Sequence, residues 1–287
     1  MNASFRSSGP SPDRHGQWGI QALWEQLLPW LPDLSIEVVE QIESTNLALM
    51  GRLREAARNA AVRGIRADDL APSLLVAIPQ TQGRGRLGRS WESAAGSSLT
   101  FSLSLPIQRA DWSGLSLAVG EAVAQGLDPS GTHIGLKWPN DLWRMDSPGR
   151  GRKLGGVLIE ALQVAEQRVA VIGVGINLHP LMLSEAVASV AEFEPGIGAP
   201  QALARIMPPL ARALADFERE GFAGVATRYA ERDLLRGQAI TTTDPRCPQG
   251  MSEGVAEDGA LLLSHAGQSF RIVSGEVSVR PLPPASV

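Results

Sequence analysis

Hydrophobic periodicity begins at Trp18. "WGIQALWEQLLPWLP" spaces its apolar residues at helical intervals and stops at prolines, and "LSIEVVEQI" after it reads as a strand. "ESTNLALMGRLREAARNAAVRG" predicts a helix capped by Ser44 or Thr45 and running to about Asn59. "SLLVAI" is a short buried strand that feeds directly into a loop of arginine and glycine. From Leu99 to Leu105 the alternation is strict, apolar at odd positions and polar at even ones, which predicts a strand with one face in solvent. Asp111 precedes a predicted helix through about Leu127. "KLGGVLIEAL" and "QRVAVIGVGINL" predict a hairpin turning near Glu166, and residues 198–233 a helical stretch interrupted at Pro208 and Pro209.

The last fifty or so residues differ in kind. "QAITTTD", "SEGVAED", "GALLLSH", "QSFRIVSG" and "EVSVR" are short strands at roughly 8- to 12-residue spacing, the pattern of a small barrel. Strands and helices before them mix without a steady βαβ alternation, which favours an α+β fold over a doubly wound sheet. The expected organisation is a disordered tail over residues 1–17, a main domain over 18–235 and a small β domain over 236–287.

Composition narrows the function classes. With 287 residues, 44% hydrophobic and a net charge of -4, the chain carries no general basic field for coating nucleic acid, so any cationic site is local. Cys247 is the only cysteine, which rules out an intrachain disulfide, and His15, His133, His179 and His265 are too scattered for a metal cluster. No secretory signal and no apolar run near the roughly 20 residues of a membrane span is present, so a reducing cytoplasm is the expected location.

The local cationic site is "PQTQGRGRLGRSW", with Arg84, Arg86 and Arg89 set among glycines whose bare backbone lets N–H groups approach an anion. Gly83, Gly85 and Gly88 match a dinucleotide fingerprint, but an alternating strand follows instead of the required helix, and no Gly-Lys-Ser/Thr completes a P-loop. A phosphate clamp between two strands remains, against a solvated surface loop. "GLKWPNDLW" sets Lys137 at a strand end, with Asn140 and Asp141 beyond a proline turn. "KLGGVLIE" pairs Lys153 with Gly155 and Gly156, where either a bulge or a ligand lies against bare main chain. Asn177 ends "GVGIN", and Ser44, Thr45 and Asn46 of "ESTN" serve either as a cap or as a site for an uncharged polar ligand.

Taken in order, ESTN, QTQGRGRLGRSW, KWPND, KLGGVLIE and GVGIN resemble the biotin protein ligase family over residues 36–282. The resemblance implies an α+β catalytic domain on a mixed sheet, similar to class II synthetase and lipoate ligase folds, followed by a small C-terminal SH3-like β-barrel. It implies a ligase that joins biotin to ATP with Mg²⁺, forms biotinyl-5'-adenylate and passes the biotinyl group to a lysine of a biotin carboxyl carrier protein. Ser44, Thr45, Asn46 and Gln80 would then hold the ureido ring, and Arg84, Gly85 and Arg86 would form the ligand loop. Trp91 would stack on adenine and Asn177 would lie in the nucleotide site, while Gly155 and Gly156 would count among the ligand-binding residues. Lys153 would lie near the biotin carboxylate and α-phosphate. Lys137, Asn140 and Asp141 match the family's cleft motif; Arg86, Lys137, Asp141 and Lys153 are the expected catalytic set. Only about forty residues precede ESTN, too few for the winged helix-turn-helix of some relatives, so neither DNA nor membrane is an expected partner, and a homodimer stays open. A lipoate ligase with the same adenylate chemistry and a non-catalytic biotin sensor are the alternatives. Residues 144–152, longer than a minimal turn, are expected to form a mobile loop or a harmless insertion.

Overall fold

The computed structural model describes residues 17–64, 66–181, 187–273 and 277–281. Residues 1–16 of the expected tail lie outside that set.

In chain order, helix α1 (Ile20–Leu27) and strand β1 (Ser35–Val39) are followed by the long helix α2 (Thr45–Arg63) and strand β2 (Ser73–Ala77). A two-stranded ribbon, β3 (Gly83–Arg84) with β4 (Ser90–Trp91), precedes strand β5 (Ser98–Pro106) and helix α3 (Leu115–Leu127). Four strands come next: β6 (Ile134–Lys137), β7 (Asp141–Ser147), β8 (Arg150–Val164) and β9 (Gln167–Asn177). Helices α4 (Ala199–Glu220) and α5 (Ala226–Arg232) then lead to strands β10 (Ala239–Thr242), β11 (Gln249–Val255), β12 (Leu261–His265), β13 (Gln268–Ile272) and β14 (Val279–Pro281).

The main sheet has the order β1-β2-β5-β9-β8-β7-β6, and its only parallel pair is β1 with β2. This is the mixed sheet of an α+β fold, as the irregular order of elements predicted. One face buries Leu74, Val76, Phe101, Leu103, Ile172 and Val174 together with Val119 and Val123 of α3 and Leu203, Ile206 and Leu210 of α4. On the other face α2 lays Leu49, Met50 and Leu53 over Leu75, Val169 and Val171. Successive strand residues point to opposite faces, so Leu74 and Leu75 serve different helix layers.

That two-sided covering corrects the reading of β5. Its period of two is present, but every residue from Ser98 to Leu105 is buried. The polar face of Thr100, Ser102 and Ser104 does not meet water. It lies under α2, where Ser102 Oγ is 2.6 Å from both Thr45 Oγ1 and Asn46 Oδ1.

Three further expectations change. α4 runs unbroken through Pro208 and Pro209. Pro209 has no N–H for the carbonyl of Arg205, and α3 packs against that carbonyl at Gly126, where a Cβ would come within 2.6 Å of the oxygen. Burial of Ile206, Met207, Leu210, Leu214 and Phe217 along the same helix offsets the missing bonds. α2 continues past Asn59 to Arg63, while α3 runs from Leu115 to Leu127 with Asp111 ahead of it as expected, the Asp111 carboxylate accepting from Ser113 N. Residues 144–152 form neither a mobile loop nor a separate insertion. They are the paired ends of β7 and β8, turning at Pro148 and Gly149, with Arg152 bridging Asp146 at 2.8 Å and Glu192 at 2.7 Å.

The second sheet is antiparallel, in the order β13-β12-β11-β10-β14. The segment "SEGVAED" contributes Ser252–Val255 to the longer β11, and residues 274–276 of "QSFRIVSG" and "EVSVR" lie outside the described set. The sheet presses its Asp258–Gly259 turn onto the first one, where the buried Trp138 donates from Nε1 to Gly259 O at 3.0 Å.

Between α5 and β10, burial raises the Asp233 carboxyl from 3.8 to about 6. Its Oδ2 and the Tyr229 hydroxyl are both buried without a hydrogen-bond partner. A folded pKa above the unfolded one means that the folded state holds the extra proton between the two values. The associated stability is present below about pH 4 and is lost as pH rises through about 6. Asp233→Asn keeps an acceptor for Leu235 N and removes the buried charge. It is expected to raise the unfolding free energy at pH 7.5 by up to about 3 kcal/mol and by almost nothing at pH 4, measured in urea. An equal gain at both pH values would remove ionisation as the cause.

Candidate active site

The site starts from the first turn of α2, whose leading N–H groups have no partner inside the helix. Ser44 caps it, its Oγ accepting from Leu47 N at 3.4 Å, and the Thr45 N–H is taken by Gln80 Oε1 at 2.7 Å. "ESTN" is therefore a cap, as its local pattern suggests. It is also a cleft wall, because Ser44, Thr45 and Asn46 are buried and face one cavity. Asn46 donates from Nδ2 to Glu160 Oε2 at 2.9 Å and to Leu158 O at 3.3 Å.

The arginine loop is the β3/β4 ribbon closed by a tight turn at Arg86–Gly88, in which Leu87 takes φ 58°. Gly85 N donates to Arg89 O at 2.7 Å. The glycines thus make an ordered ribbon rather than a slack loop. Arg84 reaches Glu160 at 3.8 Å, and Arg86 Nη1 donates to Asn140 Oδ1 at 3.2 Å, which draws the ribbon over the cavity. Asn140 is itself tied to β8, donating to Val157 O at 2.8 Å. Trp91 lies against β9 at Gly175, where a Cβ would stand 2.4 Å from the indole ring, so only glycine fits there.

β6 ends in Lys137, and β7 begins at Asp141. The turn between them is pinned by Ser116 of α3, donating to Pro139 O at 2.9 Å. Opposite, the register of β8 slips at Leu154, a bulge that re-aims its neighbours and brings Lys153 Nζ to 2.8 Å from Asp141 Oδ1. Both readings of "KLGG" therefore hold at once. Lys137 Nζ lies 3.9 Å from the other carboxylate oxygen and 5.0 Å from the Trp143 ring centre. Burial pushes the Lys137 ammonium below the usual lysine value and Lys153 adds to that, while Asp141 opposes it. Burial likewise lowers Arg86, against the pull of Asp141. Lys137 and Lys153 are the only two lysines in the chain.

These elements enclose a cleft of 970 Å³. Of the residues singled out in the sequence, Ser44, Thr45, Asn46, Gln80, Arg84, Gly85, Arg86, Trp91, Lys137, Asn140, Asp141, Lys153, Gly156 and Asn177 all line it. Gly155 does not line it; its bare backbone serves the close pairing of β8 with β9, where a Cβ would meet Ile176 at 2.5 Å. Asn177 Nδ2 donates to Ala188 O at 3.2 Å, steadying the segment after β9. Sequence reading missed Arg152 and Arg280 on the wall, and Ser102 and Glu160 behind it. Arg280 arrives from β14 in the second sheet, a placement that no local pattern signals. The cleft joins an uncharged polar floor at the start of α2 to a cluster of arginines and lysines around one carboxylate. That combination suits a ligand with a polar neutral head and an anionic end, met there by a second anion.

Comparison with known proteins fits this geometry. Residues 65–177 match the biotin/lipoate A/B protein ligase family. The bifunctional ligase/repressor BirA of Escherichia coli is 32% identical over 267 residues, covering 89% of this chain and 77% of that protein. The biotin-[acetyl-CoA-carboxylase] ligase of Mycobacterium tuberculosis is 29% identical, covering 84% and 88%. Among solved structures, the biotin protein ligase of Aquifex aeolicus in complex with biotin and ATP shares the fold, with a TM-score of 0.67 at 24% identity over 86% of this chain and 99% of that one. With its fold, its cleft and its relatives in agreement, the chain belongs to the biotin protein ligase family.

Proposed function

We propose that the protein activates biotin with ATP as biotinyl-5'-adenylate and transfers the biotinyl group to a lysine of a biotin carboxyl carrier domain. The observation that carries this reading is Asp141 holding Lys153 at 2.8 Å and Lys137 at 3.9 Å, beside an Arg86 anchored on the neighbouring Asn140. In the first half-reaction a biotin carboxylate oxygen attacks the α-phosphorus and the bond to the bridging β-phosphate oxygen breaks, releasing pyrophosphate. Two anions must approach each other, and fixed cations in a partly dehydrated cleft reduce that repulsion and hold the charge that develops. Lys153 and Arg86 would meet the reacting carboxylate and α-phosphate, with Lys137 beside them. Asp141 fixes both lysines, since its two oxygens already face them.

Among the described residues no three His, Cys, Asp or Glu side chains converge as a metal cage. A Mg²⁺ ion arriving with the triphosphate would be held by Asp141, the carboxylate of the cationic cluster. When bound it neutralises charge on the departing pyrophosphate. In the second half-reaction the carrier amine attacks the acyl carbon, the anhydride C–O bond breaks and AMP leaves. The ribbon of β3 and β4, latched by Arg86, keeps water from the adenylate in the interval.

The test is incubation with ATP, Mg²⁺ and either biotin or lipoate, following pyrophosphate release and, by mass spectrometry, labelling of an apo carrier domain. Biotin-dependent release with carrier labelling is the expected result. Turnover with lipoate alone would move the protein to the other substrate, and biotin binding without pyrophosphate release would make it a sensor.

A further inference from the structure

Resting on that reading, we propose that Ser102 is a positioning residue that sets the ring specificity of the cleft by fixing the direction of a hydrogen-bond chain behind its floor. Ser102 is fully buried and is not part of the cleft wall, yet it contacts both Thr45 and Asn46, which are. Nothing in a strand's own stability calls for a hydroxyl here. A buried polar group with no partner is costly, so its presence has to be accounted for bond by bond.

Asn46 anchors the chain. Its two amide hydrogens go to Leu158 O and Glu160 Oε2, which turns Oδ1 towards Ser102 as an acceptor only. Ser102 lies 2.6 Å from Asn46 Oδ1 and 2.6 Å from Thr45 Oγ1 but has one proton. Asn46 has no proton to offer along that line, so the Ser102 hydroxyl donates to it. The Ser102 proton is shared with Thr45 Oγ1, which accepts it at the same distance. The Thr45 hydroxyl donates in turn to Gln80 Oε1 at 3.1 Å, which also accepts the Thr45 N–H at 2.7 Å. Both hydroxyl protons are therefore engaged, that of Ser102 on Asn46 and Thr45 and that of Thr45 on Gln80. What Thr45 shows the cleft is a lone pair.

A floor of this polarity accepts N–H and rejects acceptors. A cyclic urea brings N–H groups to it, and a dithiolane brings none. An isostere with a ring oxygen in place of one N–H would set two acceptors against each other. Losing the partner of a buried donor or acceptor costs more than a hydrogen bond is worth on balance, which is the basis of strong discrimination.

The experiment compares wild-type and Ser102→Ala protein in pyrophosphate release, with biotin and with the two cyclic carbamate analogues in which either ureido N–H is replaced by oxygen. The wild type is expected to prefer biotin over the worse carbamate by at least about a hundredfold. In Ser102→Ala the Thr45 hydroxyl is free to turn, so KM for biotin should rise about tenfold and the preference should fall about tenfold, with kcat and KM for ATP within about twofold. Should Ser102→Ala fail to fold, Ser102→Cys fills the space with a weak hydrogen-bonding group and is expected to shift both quantities in the same direction. An unchanged preference, or a loss of thermal stability alone, overturns the role of Ser102 and leaves the ligase reading intact. Absence of biotin-dependent turnover in the wild type overturns the ligase reading and the role of Ser102 together.

Discussion

Replacing Lys153 with Met is expected to lower kcat/KM for adenylate formation by about a thousandfold while leaving the fold intact. The size follows from the position. Lys153 projects from the β8 bulge to within 2.8 Å of Asp141, in a cleft where Lys137 is already buried and its charged form already disfavoured. A preorganised charge aimed at a reacting phosphoryl group contributes roughly 10²- to 10³-fold, and removing Lys153 also leaves the Asp141 carboxylate facing the nucleotide less well compensated. The cost to stability is small. Lys153 is 38% exposed, and an ion pair screened to that degree contributes at most about 1 kcal/mol. Lys153→Arg keeps the charge but places a wider group in a site cut for an ammonium, and partial recovery is expected. Steady-state pyrophosphate release with circular dichroism as the fold control decides the matter. Activity within tenfold of the wild type would mean that Lys137 and the arginines suffice.

Much of this cleft was legible in the sequence because its motifs are short and each carries its chemistry in consecutive residues. ESTN is a cap and GRGRLGR a cationic ribbon, and KWPND and KLGG each bring a lysine. A count would have added weight, since of 26 lysines and arginines only Lys137 and Lys153 are lysines, and both face Asp141. What the sequence withheld depends on distance along the chain. Ser102 meets Thr45 57 residues away, Glu160 meets Asn46 114 residues away, and Arg280 enters from a different sheet. The strict alternation of β5 showed that two faces differ, but not that α2 would cover the polar one. Periodicity reports which residues share a face; what lies against that face is a tertiary fact. The proline pair failed for the same reason. A local rule breaks the helix at Pro208, and the packing of α3 and α4 overrides it.

Arg86→Ala is expected to let the adenylate escape, raising its dissociation rate from the protein roughly ten- to a hundredfold, with a smaller loss in its rate of formation. Arg86 joins the ribbon to the far side of the cleft through Asn140, and Asn140 is held to β8 through Val157. The latch therefore reaches from the mobile-looking glycine segment to the rigid sheet. A hydrogen bond to a charged group is worth about 1.5–3 kcal/mol, which corresponds to a change of that size in retention. Formation suffers less because Arg84, Lys137 and Lys153 remain in place. Without a carrier, hydrolysis of escaped adenylate returns the biotin, so the variant should keep converting ATP to AMP and pyrophosphate with no net use of biotin, while the wild type stops after one equivalent. Escaped adenylate also acylates amines in solution, so a lysine-rich bystander protein serves as a trap. The ligase itself adds little background to that assay, because its only two lysines are the pair held by Asp141 inside the cleft. Bystander labelling that rises with Arg86→Ala while carrier labelling falls would place the latch at Arg86. If retention and formation both match the wild type, the ribbon closes the cleft without it, and the contact with Asn140 serves only to shape the turn.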